Sequence, residues 1–249
     1  MWRVAIVPIL AVLLAIETGC KSSAPSQAPP DRTDVPTPTA GGPAASTSDT
    51  AAESSLEQDT RPRIVCFGDS LTAGYGTEAG QAYPDFLQAE LDRRGYTYRV
   101  VNAGTSGNTT KDGVERVASI VAMKPAIVVV EFGGNDGLRG LRIGDTRANL
   151  DRILSVLTAS DSKVVLAGIT LPPDYGADYI RQFNENYDLL ARKFHVPMLP
   201  FLLKGVFGVD GMMQRDRTHA TAAGNKIVAA NVFTLIQPLL KKPTTPLQR

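Results

Sequence analysis

The chain is poor in the residue types that most often announce a partner or a scaffold: two cysteines, two histidines, one tryptophan, and a net charge of +1 from 26 Lys and Arg against 25 Asp and Glu. Two cysteines cannot build a disulfide framework, and a zinc site of the usual Cys and His make-up would consume nearly all of both residue types. No metal or other cofactor is expected. A near-balanced charge supplies no concentrated basic surface for neutralising phosphates, so nucleic acid is not expected as a partner. No internal repeat is visible, nor a second globular domain. Hydrophobic residues make up 43% of the chain, enough for a packed core.

What is present divides into three unlike parts. Residues 4–16 (VAIVPILAVLLAI) form an apolar run behind Arg3. It is shorter than the roughly 20 residues that span a bilayer and fits the core of an export signal. The run leads to Glu17-Thr18-Gly19-Cys20. A small residue before a cysteine at this place resembles the lipobox of bacterial lipoproteins, although Glu17 stands where that pattern favours an apolar side chain. The resemblance implies a signal peptide over 1–20, acylation of Cys20, and a domain exported to the bacterial cell envelope and anchored to a membrane. Residues 21–61 hold Ser, Thr, Ala, Pro and Gly with scattered charges, and only Val35 and Leu56 as large apolar side chains. Such a segment buries too little apolar surface to offset the entropy of ordering it, and is expected to be a tether.

Residues 62–242 carry regular patterning, followed by a short tail over 243–249. Apolar runs suited to buried parallel strands occur at 63–67, 98–101, 126–132, 163–169 and 196–202. Helical patterns lie between them, at 83–94, 112–123, 145–157 and 178–194, with a last one whose apolar face is Val228, Val232, Leu235, Ile236 and Leu239. Five strands alternating with helices predict an α/β fold: a doubly wound, flavodoxin-like three-layer sandwich with a five-stranded parallel sheet. Right-handed crossovers then place an active site at the carboxyl ends of the strands. A monomer is expected.

The loop after the first strand reads Gly68-Asp69-Ser70-Leu71-Thr72-Ala73-Gly74. A serine just beyond a buried strand, beside glycines, is placed to expose its hydroxyl at a helix start, although an isolated Gly-Asp-Ser is more often a helix cap. The glycine spacing that follows fits neither a dinucleotide fingerprint nor a P-loop. Cys66, flanked by Val65 and Phe67, reads as a small buried hydrophobe rather than a rival nucleophile. Of the two histidines, His195 lies where a helix meets a strand at the amino edge of the sheet, the wrong end. His219 follows the last strand, suits proton transfer, and has Asp216 three residues upstream, within reach to orient its ring. Glu131 and Asp136 are nearby carboxylates that rank below Asp216. Two further loops can supply oxyanion donors: residues 102–110 (NAGTSGNTT) with their glycines, and residues 133–140 (GGNDGLRG) with an amide side chain.

Together, Gly68-Asp69-Ser70-Leu71, the central glycine loop, Gly133-Gly134-Asn135-Asp136 and Asp216-x-x-His219 resemble, in order, the blocks of the SGNH, or GDSL, hydrolase family over residues 63–240. The loops at 133–140 and 171–176 look most like the branch of bacterial thioesterase I, lysophospholipase and arylesterase. Arg217, Thr218 and Ala220 depart from that branch's usual Gly, Ile and Pro. The resemblance implies Ser70 as nucleophile, His219 as base, Asp216 as its orienting acid, and an oxyanion hole from Ser70, Asn135 and a glycine. Gly107 is preferred for that glycine, with Gly104 the competing choice. It implies a metal-independent serine esterase acting on small-molecule arylesters, thioesters or lysophospholipids, with Asp136, Leu138, Arg139 and Leu141 at the acyl groove. A carbohydrate O-acetylesterase and a non-catalytic ligand-binding lipoprotein are the alternatives.

Overall fold

A computed structural model describes residues 59–241. The expected export signal, Cys20, residues 21–58 of the expected tether and residues 242–249 lie outside the described residues. Residues 59–61 of the expected tether are described, with Arg61 paired to Asp59 at 2.6 Å.

Five strands, β1 (Arg63–Gly68), β2 (Arg99–Gly104), β3 (Ile127–Glu131), β4 (Lys163–Ala167) and β5 (Met198–Leu199), form one parallel sheet in the order β2-β1-β3-β4-β5. Seven α-helices are described: α1 (Ser70–Ala73), α2 (Tyr83–Arg93), α3 (Thr110–Ala122), α4 (Gly134–Leu138), α5 (Ile143–Thr158), α6 (Ala177–Phe194) and α7 (Ala222–Ile236). The strand order reverses direction after β2. Right-handed crossovers therefore put α2 on one face of the sheet and α3, α5 and α6 on the other, and α7 returns to pack on α2. The result is the expected three-layer α/β sandwich.

The central strands read as continuous apolar runs because helices cover both faces: Ile64 to Phe67, Val128 to Val130, and Val165 to Ala167 are wholly buried. The second strand differs from expectation. It runs from Arg99 to Gly104 and is only half-buried, because it lies at the edge of the sheet. Helix α3 starts at Thr110, two residues before the predicted 112, because Thr109 and Asp112 form a reciprocal cap: the Thr109 amide donates to Asp112 Oδ2 at 2.7 Å, and the Asp112 amide to Thr109 Oγ1 at 3.4 Å. Thr221 caps α7, accepting from the Gly224 amide at 3.2 Å. Pro238 closes that helix, so Leu239 of the predicted apolar face falls in a 3₁₀ turn, Gln237–Leu239.

Register sets the stage for chemistry. Gly68, at the end of β1, is level with Gly104 of β2 and Glu131 of β3. The loops leaving these three strands therefore emerge side by side.

Candidate active site

β1 passes directly into α1. Asp69 caps that helix, its Oδ1 accepting from the Leu71 amide at 3.0 Å, and Ser70 is the first helical residue. The turn is tight because β2 allows it: a β-carbon on Gly104 would lie 2.2 Å from the Ala73 nitrogen, so only glycine admits α1 here. Ser70 is half-buried, and its amide belongs to the first turn of a helix, which has no acceptor within the helix.

His219 Nε2 lies 2.8 Å from Ser70 Oγ, and His219 Nδ1 lies 2.7 Å from Asp216 Oδ2. Asp216 Oδ1 accepts from the amides of Thr218 at 3.0 Å and His219 at 3.1 Å. Burial works to raise the Asp216 carboxyl, but the hydrogen bonds from the imidazole and the two amides outweigh it and hold the group below its ordinary range. An ionised Asp216 fixes the tautomer: Nδ1–H donates to the carboxylate, and Nε2 is left to accept the serine proton. Tyr75 packs on the imidazole, with ring centroids 4.7 Å apart. The segment carrying acid and base is tied down by Gln214, whose Nε2 donates to the carbonyls of Tyr75 at 2.7 Å and Ala220 at 2.9 Å. His195, by contrast, is exposed at the C-cap of α6, as the sequence predicts.

The two glycine loops meet beside Ser70. Gly107 has a φ of +81°, and its carbonyl accepts from Arg139 Nη2 at 3.0 Å. Gly104 is otherwise engaged, since its amide donates to Asn102 Oδ1 at 2.9 Å. Asn135 Nδ2 donates to the Asn108 carbonyl at 2.9 Å and, at a longer 3.2 Å, to Asp69 Oδ2. Asn108 in turn accepts on its Oδ1 from Arg116 Nη1 at 2.6 Å, and Arg116 also donates to the Ala103 carbonyl while its guanidinium lies 5.0 Å over the Phe67 ring. Desolvation lowers the pKa of this arginine. Asn108 and Arg116 thus join the loop of Gly107 to Asn135 and to β2. In the sequence Asn108 shows only as part of the glycine loop at 102–110, and Arg116 only as a charged residue within a helical pattern.

Beneath the serine lies a buried acidic pair. Glu131 Oε2 accepts from Thr72 Oγ1 at 2.7 Å and from the Asp69 amide at 3.2 Å. Burial pushes Asp69 up to about 6 and, with the Asp69 charge adding to it, pushes Glu131 well above the usual carboxylate range. Neither competes for the imidazole. Cys66 is wholly buried on β1, and desolvation pushes its thiol up to about 12, which suits a hydrophobe and not a nucleophile.

Ser70, Gly107, Asn135, Asp216 and His219 all line one cavity of about 470 Å³. Its apolar wall includes Leu71, Leu138, Ile169, Leu171, Phe201 and Phe207. Of the residues expected at an acyl groove, Leu138 lines this cavity, and three do not. Asp136 is 2% exposed, and its carboxylate is taken up by the amide and hydroxyl of Thr110 and by Thr146. Arg139 is turned to the Gly107 carbonyl, and Leu141 lies on the exposed surface. The short helix α4 and the turn that follows it send these side chains in different directions. Asp136 is therefore an anchor for α3 and α5 rather than a substrate contact.

The site as built can activate a hydroxyl, receive its proton and offer N–H donors to a developing oxyanion, which are the requirements of acyl transfer. Comparison with known proteins points the same way. Residues 66–227 match the GDSL-like lipase/acylhydrolase family. The chain is 40% identical over 185 residues to the esterase TesA of Pseudomonas aeruginosa, covering 74% of this chain and 92% of that protein. It is 36% identical over 178 residues to the thioesterase 1/protease 1/lysophospholipase L1 of Escherichia coli, covering 71% and 84%. A crystal structure of TesA superposes with a TM-score of 0.69 at 41% identity, covering 72% of this chain and 99% of that one.

Proposed function

The chain belongs to the GDSL-like lipase/acylhydrolase family and is a serine ester hydrolase, and from that premise we propose that Ser70, His219 and Asp216 are its catalytic triad. The observation that carries the assignment is the unbroken line from Ser70 Oγ through His219 to Asp216, at 2.8 and 2.7 Å. His219 Nε2 takes the hydroxyl proton as Ser70 Oγ attacks the acyl carbonyl. The oxyanion settles against the amides of Ser70 and Gly107 and the Asn135 amide, whose longer bond, to Asp69, is the one that yields. The imidazolium, stabilised by Asp216, gives its proton to the leaving group. Water then enters along the same path and releases the acid.

The apolar wall of the 470 Å³ cavity supports acyl chains longer than acetyl, in thioesters or lysophospholipids, the kinds named for the Escherichia coli relative, or in the arylesters that the family resemblance implies. In a series of nitrophenyl esters, kcat/KM is expected to rise from acetate to medium chains and to fall about 10⁴-fold or more in Ser70→Ala. A steep decline beyond acetate would instead mark an O-acetylesterase, and equal rates in parent and variant would remove Ser70 from the chemistry.

Export and acylation at Cys20 are part of the same proposal, supported by the apolar run over 4–16 and by Gly19-Cys20. A mature protein whose N-terminus is a diacylated Cys20 by mass is expected. A free N-terminus elsewhere would refute the anchor.

A further inference from the structure

Tyr75 packs against the imidazole of the site, although burial does little to hold it there. Its side chain is 55% exposed, and its hydroxyl enters no hydrogen bond among the described residues. The backbone sets its place instead. Gly74, which ends α1, and Gly76 have φ of +79° and +75° and turn the chain on either side of it. The Tyr75 amide donates to the Ser70 carbonyl at 3.1 Å, and the Tyr75 carbonyl accepts from Gln214 Nε2 at 2.7 Å. A β-carbon on Gly76 would lie 2.2 Å from Gln214 Oε1, so glycine is what admits that glutamine. Tyr75 is thereby fastened both to the helix of the nucleophile and to the segment of the base. Between them its ring lies 4.7 Å from the His219 ring, centroid to centroid, with the two planes 43° apart.

Both nitrogens of that imidazole are engaged, Nδ1 with Asp216 and Nε2 with Ser70. These bonds fix the two edges of the ring and leave its packing to other groups. When the imidazole takes the serine proton it becomes a cation, and an aromatic ring within roughly 6 Å attracts a cation far more than a neutral group. The contact therefore strengthens as the proton moves, which is the condition for it to favour the transition state over the ground state.

We propose that Tyr75 is a positioning residue for His219, its aromatic ring holding the imidazole in line with Ser70 and Asp216 and stabilising the imidazolium as it forms. This rests on the triad reading above. The role belongs to the ring and not to the hydroxyl, so three substitutions pull its parts asunder: Phe keeps the ring, Leu keeps apolar bulk without it, and Ala keeps neither.

The experiment measures kcat and KM of the full chain on nitrophenyl butyrate from acid to neutral pH. At neutral pH, Tyr75→Phe is expected to match the parent within about twofold. Tyr75→Leu should lower kcat roughly two- to fivefold with KM nearly unchanged, the range of an exposed cation–π contact. Tyr75→Ala should lose about tenfold or more, because water then reaches the imidazole and its orientation loosens. The acid limb of kcat/KM gives a readout that packing alone would not move, since it reports the charging of the histidine in the free enzyme. Asp216, the buried Asp69, and Arg215 and Arg217 on the histidine's own loop act on that imidazole in every variant, so their influence cancels between Phe and Leu. Loss of the ring removes an attraction for the imidazolium, and the limb should lie about 0.3 to 0.7 pH units lower in Tyr75→Leu than in Tyr75→Phe. A Leu variant equal to the Phe variant in rate and limb, or a Phe variant as slow as Ala, overturns the proposal while leaving the triad intact. If Ser70→Ala matched the parent on the same ester, the triad reading itself would fail, and this proposal with it.

Discussion

Ser70 and His219 meet across 2.8 Å, yet the segments that carry them are built on opposite plans. The serine side is a wall. Gly68, Gly104 and Glu131 stand level at the ends of three strands, Asp69 and Glu131 are 1% and 0% exposed, and Arg116 gathers the Gly107 loop onto β2 and Asn108. The histidine side is an irregular stretch between β5 and α7. It holds the exposed Asp216 and Arg217 and is fastened by the Met213–Ala220 bridge and by the two bonds of Gln214. Close packing fixes the nucleophile; a few polar ties fix the base. Damage to the wall should therefore cost stability and turnover together, whereas damage to the loop should cost turnover alone.

The largest effect is expected from breaking the wall. Gly104→Ala would put a β-carbon 2.2 Å from the Ala73 nitrogen and 2.7 Å from its Cα, and backbone on both sides leaves nowhere to retreat. Displacement of α1 should lower kcat/KM by about 10²-fold or more and cost roughly 3 kcal/mol in chemical denaturation. A variant as active and as stable as the parent would show the wall to be looser than its distances imply. Loosening the loop comes next. Gln214→Ala removes the ties to Tyr75 and Ala220 and should lower kcat about tenfold, with KM and the denaturation midpoint nearly unchanged. A large drop in the midpoint would mean that the loop is as integral as the wall, and the contrast would collapse.

The smallest effect concerns the buried acids. Glu131 is pushed well above its ordinary range by burial and by Asp69, and burial pushes Asp69 up to about 6. The folded protein therefore holds protons that the unfolded chain releases at lower pH, so stability declines as pH rises from the unfolded values toward the raised folded ones. Glu131→Gln removes one of these titrations. The melting temperature of the variant relative to the parent should thus rise by a few degrees between pH 5 and pH 8, with Asp69 leaving a residual slope up to about pH 6. A difference that stays flat across this interval would show that Glu131 is ionised in the folded wall.

The same contrast explains what could be read from the residues alone. The buried strands are legible because two covered faces demand unbroken apolar runs such as 127–130, and the serine, histidine and acid are legible because they stand in short blocks after those strands. Helices α1 and α4, of 4 and 5 residues, are too short to show a helical period, so they stay hidden. Arg116 is hidden for another reason. A charged residue on a helix reads as a solvent face, and its acceptors at Ala103 and Asn108 belong to a neighbouring strand and loop. The half-burial of β2 depends on its place at the sheet edge, which no local pattern encodes. Asp136, Arg139 and Leu141 are expected at the groove because the family resemblance implies it, but a resemblance of sequence does not say which way a short helix and the turn after it point each side chain.

The hydrogen bond between Ser70 and His219 joins residues 149 apart in the chain. Holding so long a span closed is expected to need the formed sheet and α7 docked on α2, since the entropy of an open chain opposes the contact. Ester hydrolysis is therefore a clock for the final step of folding. During refolding, helical signal should return first and turnover last, and the lag between them measures how long the two ends of the domain take to find each other.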